Sequence, residues 1–357
     1  MSDGFQVPQT DPKVVDEEWL LRSREAEIIE PDLPIIDPHH HLWDRQERNL
    51  LDELLDDMNS GHNIRATVFV QARSMYREDG PEDLKCLGET EFANGVAAMT
   101  ASGIYGPVRA CAGIVAFADL LLGDRVQPIL DAQAVAANGR LRGIRNSSAR
   151  HDADPSIRSM PHIPPKGLLL DTRFREGFAR LAPMDLTFDA WLYQVQIKDL
   201  ISLADAFPST KIILDHCGGV LGVGIHKDKR MEEFPLWRSD IRALAKRPNT
   251  FVKLGGLAMH NVGFGFRDRP LPPDSEELSQ LWKPYIETCI EAFGVNRAMF
   301  ESNFPVDKLS VRYDSLWNAF KRITAGASTQ EKSALYFDTA AGVYRLDIEK
   351  TPIAIAS

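Results

Sequence analysis

Three consecutive histidines, His39, His40 and His41, follow closely on the apolar run 33–36. This run predicts a short buried β-strand, in which successive side chains point to opposite faces. We therefore expect His39 and His41 to share one face with Asp37, and His40 to lie on the other. Two imidazoles on one face at the end of a strand can bind a single metal ion, whereas a histidine-rich turn can also be a solvated loop.

Polar side chains also stand where later apolar runs end, and each could contribute to a site. They are Gln71, Arg145, Tyr193, His216, Lys253, Glu301 and Asn303. The carboxyl ends of parallel strands meet at one face of a barrel, and active sites are found there. Alternation along the runs lets His216 enter the barrel interior together with Glu301, Asn303 or both.

Each of these residues also has an ordinary structural explanation. Arg145 can bind an anionic substrate through its fork of donors, or it can pair with an acidic neighbour. Lys253 in an apolar strand needs either a ligand or an ion-pair partner. Gln71 and Tyr193 are expected to be polar lining. The loop histidines, of which the first and last could contact substrate, are otherwise expected to be solvated: His151, His162, His226 and His260.

The elements that would position these residues alternate between strand-like and helix-like patterns along most of the chain. Eight predicted strands occupy residues 33–36, 64–71, 108–117, 141–145, 186–192, 211–216, 250–254 and 298–304. Helical patterns separate them, which indicates a parallel sheet. Eight such units in roughly 310 residues favour a closed (β/α)8 TIM barrel over a doubly wound sheet. No GxGxxG or GxxxxGKS/T motif follows the first strand, which weakens the nucleotide-binding alternative.

The barrel is predicted to span residues 32–345, between two shorter segments. Residues 1–31 are expected to form an N-terminal arm on the surface, anchored by the Trp-Leu-Leu sequence at 19–21. Residues 346–357 are expected to be a C-terminal tail. Arm and tail could pack on a neighbouring copy and form a homo-oligomer. The polar stretch 146–166 follows the fourth strand and is a candidate lid or substrate loop.

Composition argues against several classes of function. The chain has 357 residues, 44% hydrophobic and 26% charged, as in ordinary globular proteins. Its net charge of -10 and the lack of a basic block argue against nucleic-acid binding, so a small-molecule substrate is expected. The acidic N-terminus and the absence of a long apolar run predict neither a signal peptide nor a membrane span. Scattered cysteines without a CxxC pair favour a reduced, cytoplasmic protein.

Five short motifs occur in a fixed order along the chain. They are Asp37-x-His39-x-His41-x-Trp43, Arg142-Gly143-Ile144-Arg145, Ile213-Leu214-Asp215-His216-Cys217-Gly218, Val252-Lys253-Leu254-Gly255-Gly256-Leu257 and Met299-Phe300-Glu301-Ser302-Asn303-Phe304-Pro305-Val306. Together they resemble the amidohydrolase superfamily in its amidohydrolase-related branch (amidohydrolase 2). That branch includes sugar-acid lactonases and 2-pyrone-4,6-dicarboxylate lactonase-like hydrolases. The resemblance covers about residues 33–341 and implies a distorted (β/α)8 barrel that hydrolyses a lactone, ester or amide-like bond.

The resemblance also implies roles for particular residues. His39 and His41 match the metal-binding pair of the first strand, and His216 matches a later histidine of the same site. Such neutral nitrogen ligands suit a divalent metal, for which zinc is the first candidate. Arg145 and Lys253 match positions that bind or polarise an anionic substrate.

Asn303 departs from the family pattern, which usually has an aspartate that ligates the metal and accepts a proton from the attacking water. An amide cannot usefully accept a proton near neutral pH. Glu301 stands two residues earlier, in place of the motif's usual glycine. We expect it to supply the missing charge, as a metal ligand or as a catalytic group. Otherwise the metal is weakly bound or absent.

These features predict metal-assisted hydrolysis of a small anionic lactone or related cyclic ester, with water attacking the carbonyl at the C-terminal face of the barrel. The expected catalytic residues are His216, Glu301 and Asn303. The expected substrate contacts are Gln71, Arg145, Tyr193, Lys253 and His260. Three alternatives stay open: a non-oxidative decarboxylase of an aromatic or enoic acid, a metal-free lactonase, and a non-catalytic barrel that only binds a ligand.

Overall fold

Eight parallel strands form a single sheet among the residues that the structure describes. The computed structural model describes residues 14–23, 25, 27–45, 47–158 and 162–350. The strands are β1 (Pro34–His40), β2 (Asn63–Val70), β3 (Arg109–Ala116), β4 (Leu141–Ile144), β5 (Thr187–Ala190), β6 (Ile212–Leu214), β7 (Thr250–Leu254) and β8 (Ala298–Phe300). A parallel bridge between His40 and Phe304 joins the two ends of the sheet. The sheet is therefore nearly closed, and the predicted (β/α)8 barrel is confirmed.

Helices before, between and after the strands surround the barrel. They are α1 (Glu17–Leu20), α2 (Leu51–Met58), α3 (Leu87–Ala101), α4 (Gln127–Ala136), α5 (Thr172–Phe178), α6 (Ile197–Ala206), α7 (Arg230–Ala245), α8 (Ser275–Phe293), α9 (Tyr313–Ile323), α10 (Thr329–Ser333) and α11 (Thr339–Val343). In α9, Phe320 stacks on Phe300 of β8 with ring centres 4.6 Å apart. Such an aromatic pair contributes about 1 kcal/mol beyond its buried area. Among the described segments, no helix combines the length and the apolar character needed to span a membrane.

Several strands are shorter than their sequence patterns predict, and two of these differences concern predicted site residues. Strands β6 and β8 both stop before the polar residues that we expected them to carry, so the predicted strands 211–216 and 298–304 are too long. His216 and Asn303 have φ angles of 57° and 56°. This left-handed conformation departs from the extended geometry of a regular β-strand. These two residues and Glu301 therefore lie on turns at the carboxyl end of the barrel.

The described part of the N-terminal arm is held on the barrel by Trp19 and Leu20, which are both buried. The indole Nε1 of Trp19 donates to the Arg269 carbonyl at 2.9 Å. Leu21 is 49% exposed, so two residues rather than three form the anchor. The first 13 residues of the arm and the last seven of the tail lie outside the described residues. The division into arm, barrel and tail stays a prediction.

The predicted substrate loop is tied to the rest of the barrel. Ser148 N donates to the Trp191 carbonyl at 3.0 Å. The side chains of His151 and His226 meet with their Nε2 atoms 2.9 Å apart. Both are buried, so the expectation that the loop histidines are solvated is wrong for this pair, whereas His162 is exposed. The role of the loop as a lid stays a prediction.

His62 links the start of β2 to helix α9. Its Nε2 donates to the Asp314 carbonyl at 3.2 Å, and Lys321 Nζ donates to its Nδ1 at 2.8 Å. The ring is therefore bound in its neutral form. Burial, and then the Lys321 ammonium, lower the pKa of His62 to about 4. Protonation of the ring would remove the acceptor that Lys321 uses.

The free energy of unfolding should therefore decrease as pH falls below about 6.5, because the unfolded chain then binds a proton at His62 that the folded chain excludes. This residue contributes a slope of at most about 1.4 kcal/mol per pH unit. Urea titrations at neutral and mildly acidic pH should show a smaller acid-induced loss of stability in His62→Gln than in the wild type. The exposed His260→Gln is the control. Parallel losses in wild type and His62→Gln would contradict the assignment.

Candidate active site

The end of β1 brings two of the three consecutive histidines together. His39 and His41 are buried with their Nε2 atoms 3.3 Å apart, and their rings are T-shaped with centres 4.9 Å apart. His40 points to the other side of the strand, where its Nε2 lies 2.8 Å from Thr67 Oγ1. The outer pair thus forms a cluster inside the barrel, and the middle histidine packs behind it.

Asp37, which we expected on the same face as the histidine pair, instead joins β1 to the chain after β8. Its Oδ1 accepts from Ser302 N at 2.9 Å, and its Oδ2 accepts from the Tyr313 hydroxyl at 3.1 Å. Burial raises the pKa of Asp37 to about 6. The pairing of β1 with β2 shifts register between Asp37 and His40, and such an irregularity breaks the alternation of side chains.

Glu301 bridges two imidazoles. Its Oε1 accepts from His216 Nδ1 at 2.7 Å and from His216 N at 3.0 Å, and its Oε2 lies 2.8 Å from His39 Nδ1. Burial alone would raise the pKa of Glu301, but His216 and His39 outweigh it and hold the pKa at about 2. The carboxylate is therefore ionised and can only accept, so His216 Nδ1 carries the proton. His39 Nδ1 lies closer to this carboxylate, at 2.8 Å, than to the Lys253 ammonium, at 3.2 Å, which favours the same tautomer.

The tautomers of the neighbouring rings follow from these contacts. His41 Nδ1 lies 2.7 Å from the Val70 carbonyl oxygen, which can only accept, so this Nδ1 is protonated too. Burial lowers the pKa of His39, and it lowers the pKa of His41 well below its usual range. These two rings are therefore neutral near pH 7. Each of these two rings then has an unprotonated Nε2.

Two unprotonated nitrogens that face each other make a place for a cation. Tetrahedral zinc, with Zn–N bonds of about 2.0–2.1 Å, separates two imidazole nitrogens by about 3.4 Å, and the Nε2 atoms of His39 and His41 are 3.3 Å apart. His39, His216 and Glu301 also bring one ligand atom each within 4.8 Å of one another. On that side, however, Lys253 Nζ lies 3.2 Å from His39 Nδ1. The donor set therefore fits a divalent metal, and the two facing Nε2 atoms have the separation that zinc requires.

Arg145 lies beside His39 Nε2, the nitrogen that would bind such an ion. Its Nη1 lies 3.2 Å from His39 Nε2 and 3.6 Å from Asp215 Oδ2, while its Nη2 donates to the Gln71 carbonyl. An ion at the histidine pair would displace the first of these contacts and leave the other two. The buried Oε1 of Gln71 has no hydrogen-bond partner among the described residues.

Lys253 lies next to His39 in a buried ion-pair network. Its Nζ is 2.6 Å from Asp189 Oδ2 and 3.2 Å from Asp215 Oδ1. The Tyr344 hydroxyl also donates to Asp189 Oδ2, at 2.6 Å. Burial alone would lower the pKa of Lys253, but Asp189 and Asp215 outweigh it and raise the pKa. The ion-pair explanation of this lysine therefore applies, and its side chain has no exposed surface.

Sequence reasoning missed Asp189 and Asp215 as members of this network. Their signal was a carboxylate in or beside an apolar strand, which requires a partner as much as Lys253 does. Lys253 holds the pKa of Asp215 well below its usual range despite burial, whereas burial raises the pKa of Asp189. With Glu301 the network has three carboxylates against two cations, Lys253 and Arg145. This excess of one negative charge favours a bound cation.

Three further predicted residues make other contacts. Asn303 is buried, its N donates to the His39 carbonyl at 2.9 Å, and its Nδ2 donates to Asp307 Oδ1 at 2.9 Å. Tyr193 is buried and packs on Trp191 with ring centres 5.7 Å apart. His260 is exposed, and no hydrogen bond or ion pair among the described residues joins it to the histidine cluster.

Removing the cation from the network should reveal how much the buried carboxylates depend on it. Lys253→Met leaves Asp189 and Asp215 without their main counter-ion, which should lower the free energy of unfolding by about 3–5 kcal/mol. Adding Asp189→Asn removes one of these charges and should recover a large part of the loss. Urea unfolding followed by tryptophan fluorescence measures both variants. Equal stabilities of the single and double variants would contradict this account.

Comparison with known proteins identifies the family. The amidohydrolase family model matches residues 36–346. The uncharacterized protein y4mH of Sinorhizobium fredii is 35% identical over 332 residues, which cover 88% of this chain and 99% of that protein. An L-fucono-1,5-lactonase of Burkholderia multivorans is 25% identical over 326 residues, covering 87% of this chain and 96% of that enzyme. A solved amidohydrolase from B. multivorans with bound zinc has a TM-score of 0.67 at 24% identity, covering 87% of this chain and 99% of that one. The chain therefore belongs to the amidohydrolase family, as its motifs indicate, and it is a hydrolase.

Proposed function

We propose that this protein hydrolyses a small anionic lactone or related cyclic ester at the carboxyl end of its barrel. The observation that carries the proposal is a set of three neighbouring imidazoles, each with Nδ1 within 2.8 Å of an acceptor oxygen, of which His39 and His41 face each other through Nε2. The similarity to an L-fucono-1,5-lactonase supports a cyclic ester as the substrate class. Arg145 beside the imidazoles supports a substrate that carries negative charge.

We assign His39, His41 and His216 as ligands of a divalent ion, with zinc as the first candidate. Neutral imidazoles suit zinc, and the related B. multivorans amidohydrolase structure contains it. The excess of negative charge in the surrounding network also favours a cation. An ion bound there would activate the carbonyl as a Lewis acid and would supply a water that loses a proton near neutral pH.

Glu301 acts in this proposal as a positioning residue rather than as a ligand or a base. Its oxygens already contact His216 and His39, and a carboxylate with a pKa of about 2 cannot take a proton near neutral pH. It keeps Nδ1 of both rings protonated, so that Nε2 of both rings stays available. The expectation that Glu301 itself replaces the family's aspartate as a metal ligand stays a prediction, since one of its oxygens lies within 4.8 Å of ligand atoms of His39 and His216.

Arg145 and two buried acceptors can hold the substrate. The guanidinium is anchored at the Gln71 carbonyl, and its Nη1 can turn from His39 to negative charge on the substrate. The side-chain oxygens of Gln71 and Asn303 are buried and have no hydrogen-bond partner among the described residues. Such a group costs about 1–3 kcal/mol while unsatisfied, so both oxygens are suited to accept from water or a substrate hydroxyl. No contact described above supports the substrate roles predicted for Tyr193, Lys253 and His260.

The proposed reaction consumes one water. The water oxygen bonds to the lactone carbonyl carbon while Arg145 stabilises the negative charge that develops on the carbonyl oxygen. The bond from this carbon to the ring oxygen then breaks, and the ring oxygen takes up one proton that the water has lost. Asn303 Oδ1 accepts a hydrogen bond from the attacking water and orients it. The product is an open-chain hydroxy acid, which releases a proton near neutral pH.

Proton release from a panel of sugar-acid lactones in a pH-stat tests the proposal. The zinc-loaded wild type should accelerate the release, and chelation should abolish the acceleration. Glu301→Gln should bind zinc about 10–100-fold more weakly, because its amide nitrogen would face one Nδ1–H and force that ring into the other tautomer. Glu233→Gln changes a carboxylate that binds the distant His226 and should leave zinc affinity and turnover unchanged.

Three other outcomes would contradict the proposal in different ways. Release of carbon dioxide from an aromatic or enoic acid would identify a decarboxylase. Lactonase activity that survives complete chelation would identify metal-free hydrolysis. Thermal stabilisation by a lactone without any turnover would identify a barrel that only binds its ligand.

Arg145→Gln should have opposite effects on metal binding and on turnover. It removes a cation and a donor that compete for His39 Nε2, so zinc should bind several-fold more tightly. It also removes the group that holds the anionic substrate, so KM should rise and kcat should fall. Calorimetric titration and initial rates measure the two effects. Arg142→Gln, at a side chain that donates to the Gly139 carbonyl, is the control, and weaker zinc binding in Arg145→Gln would contradict the assignment.

A further inference from the structure

In the side-chain amide of Asn303, the nitrogen has a hydrogen-bond partner among the described residues and the oxygen has none. Asn303 N donates to the His39 carbonyl at 2.9 Å, which fixes the backbone beside β1. The side chain is only 1% exposed. Its Nδ2 donates to Asp307 Oδ1 at 2.9 Å, whereas its Oδ1 has no hydrogen-bond partner among the described residues.

Asp307 is held as an acceptor by its surroundings. It begins the short turn Asp307–Leu309 and is fully buried. Its main-chain N donates to the Asn303 carbonyl at 3.1 Å, and its Oδ2 accepts from Ala258 N at 3.2 Å. A main-chain N–H can only donate, so Asp307 Oδ2 must act as an acceptor. Burial raises the pKa of Asp307 to about 7, so the carboxylate is mostly ionised at pH 8.

We infer that Asp307 is a positioning residue that keeps Asn303 Nδ2 turned toward itself and Asn303 Oδ1 turned toward the reacting water or a substrate hydroxyl. An amide can present either a donor or an acceptor, because a half-turn about its last bond exchanges nitrogen and oxygen. An ionised carboxylate neighbour admits only one of these orientations. This inference rests on the proposed function, since it names the group that orients the water at the same site.

Asp307→Asn reverses the polarity without removing a hydrogen bond. The new amide still accepts from Ala258 N through its oxygen, so its nitrogen faces Asn303. Asn303 must then turn its own oxygen toward that nitrogen, and its Nδ2 toward the site. The site thus receives a donor where it had an acceptor.

The exchanged pair, Asn303→Asp with Asp307→Asn, restores the acceptor. The carboxylate at position 303 accepts from the amide at position 307 and turns its second oxygen toward the site. The charge of the pair is the same as in the wild type, and Ala258 N keeps its acceptor. The exchanged pair therefore shows whether activity requires an acceptor at position 303 or a carboxylate at position 307.

Initial rates at pH 8 with the zinc-loaded protein test the inference. Asp307→Asn should lower kcat at least ten-fold with little change in KM, and the exchanged pair should recover most of that loss. In an Asn303→Ala background, Asp307→Asn should cause no further loss, because Asp307 acts through Asn303. Additive losses, or no recovery in the exchanged pair, would overturn the inference and leave Asp307 a purely structural residue.

The orientation can also be tested without a substrate. In protein labelled with ¹⁵N-asparagine, the Asn303 side-chain signal is identified by its absence from Asn303→Asp. One of its amide protons should be shifted downfield in the wild type by the bond to the carboxylate, and Asp307→Asn should abolish this shift. A shift that persists would overturn the inference whether or not the protein is a lactonase. If the shift is lost but the wild type hydrolyses no lactone, the orientation holds and only the proposed function fails.

Discussion

The bridging carboxylate of Glu301 is the contact on which the rest of the site depends. It reaches His216 from the chain after β6 and His39 from β1, and so it joins two segments that are distant in sequence. Each ring could adopt either tautomer by itself. Because an ionised carboxylate only accepts, His216 must donate from Nδ1, and the short contact at 2.8 Å favours the same tautomer in His39; the Val70 carbonyl imposes it on His41. The Glu301 carboxylate and the Val70 carbonyl therefore occupy the Nδ1 atoms and leave the Nε2 atoms of the three histidines available to bind a metal ion.

Burial of this charge is tolerated because opposite charges surround it. Removing an isolated carboxylate from water costs several kcal/mol, even after the protein relaxes. Here Lys253 lies between Asp189 and Asp215, and Arg145 lies beside Asp215, so each carboxylate has a cationic or imidazole neighbour. The single excess negative charge is close to the limit of this arrangement, since burial already raises the pKa of Asp189. A divalent ion at the histidines would balance the excess, whereas a further carboxylate would increase the strain.

Periodic features of this chain could be predicted from the sequence, and contacts between distant segments could not. Alternating strand-like and helix-like patterns were sufficient to predict the barrel, and the two-residue spacing was sufficient to place His39 and His41 together. Asp189 and Asp215 were missed because only a partner on another strand explains a buried carboxylate. The early end of β6 was missed because His216 adopts a left-handed conformation without the glycine or asparagine that usually signals one.

Asn303 stands where the family pattern has an aspartate, and Asp307 lies four residues later and contacts it. We therefore explain the amide at position 303 as a carboxylate moved to position 307, rather than as a carboxylate lost. An aspartate at 303 would approach Asp307 as closely as the amide does, at 2.9 Å, and two carboxylates at that separation cannot both be ionised. With an amide at 303, Asp307 can ionise without a second carboxylate beside it. Because Asp307 accepts from Asn303 Nδ2, Asn303 Oδ1 is left as the hydrogen-bond acceptor that faces the site. In the proposed reaction this residue has only to orient a water, because a metal at the histidines would supply the acidity of that water, and an amide oxygen is sufficient for that.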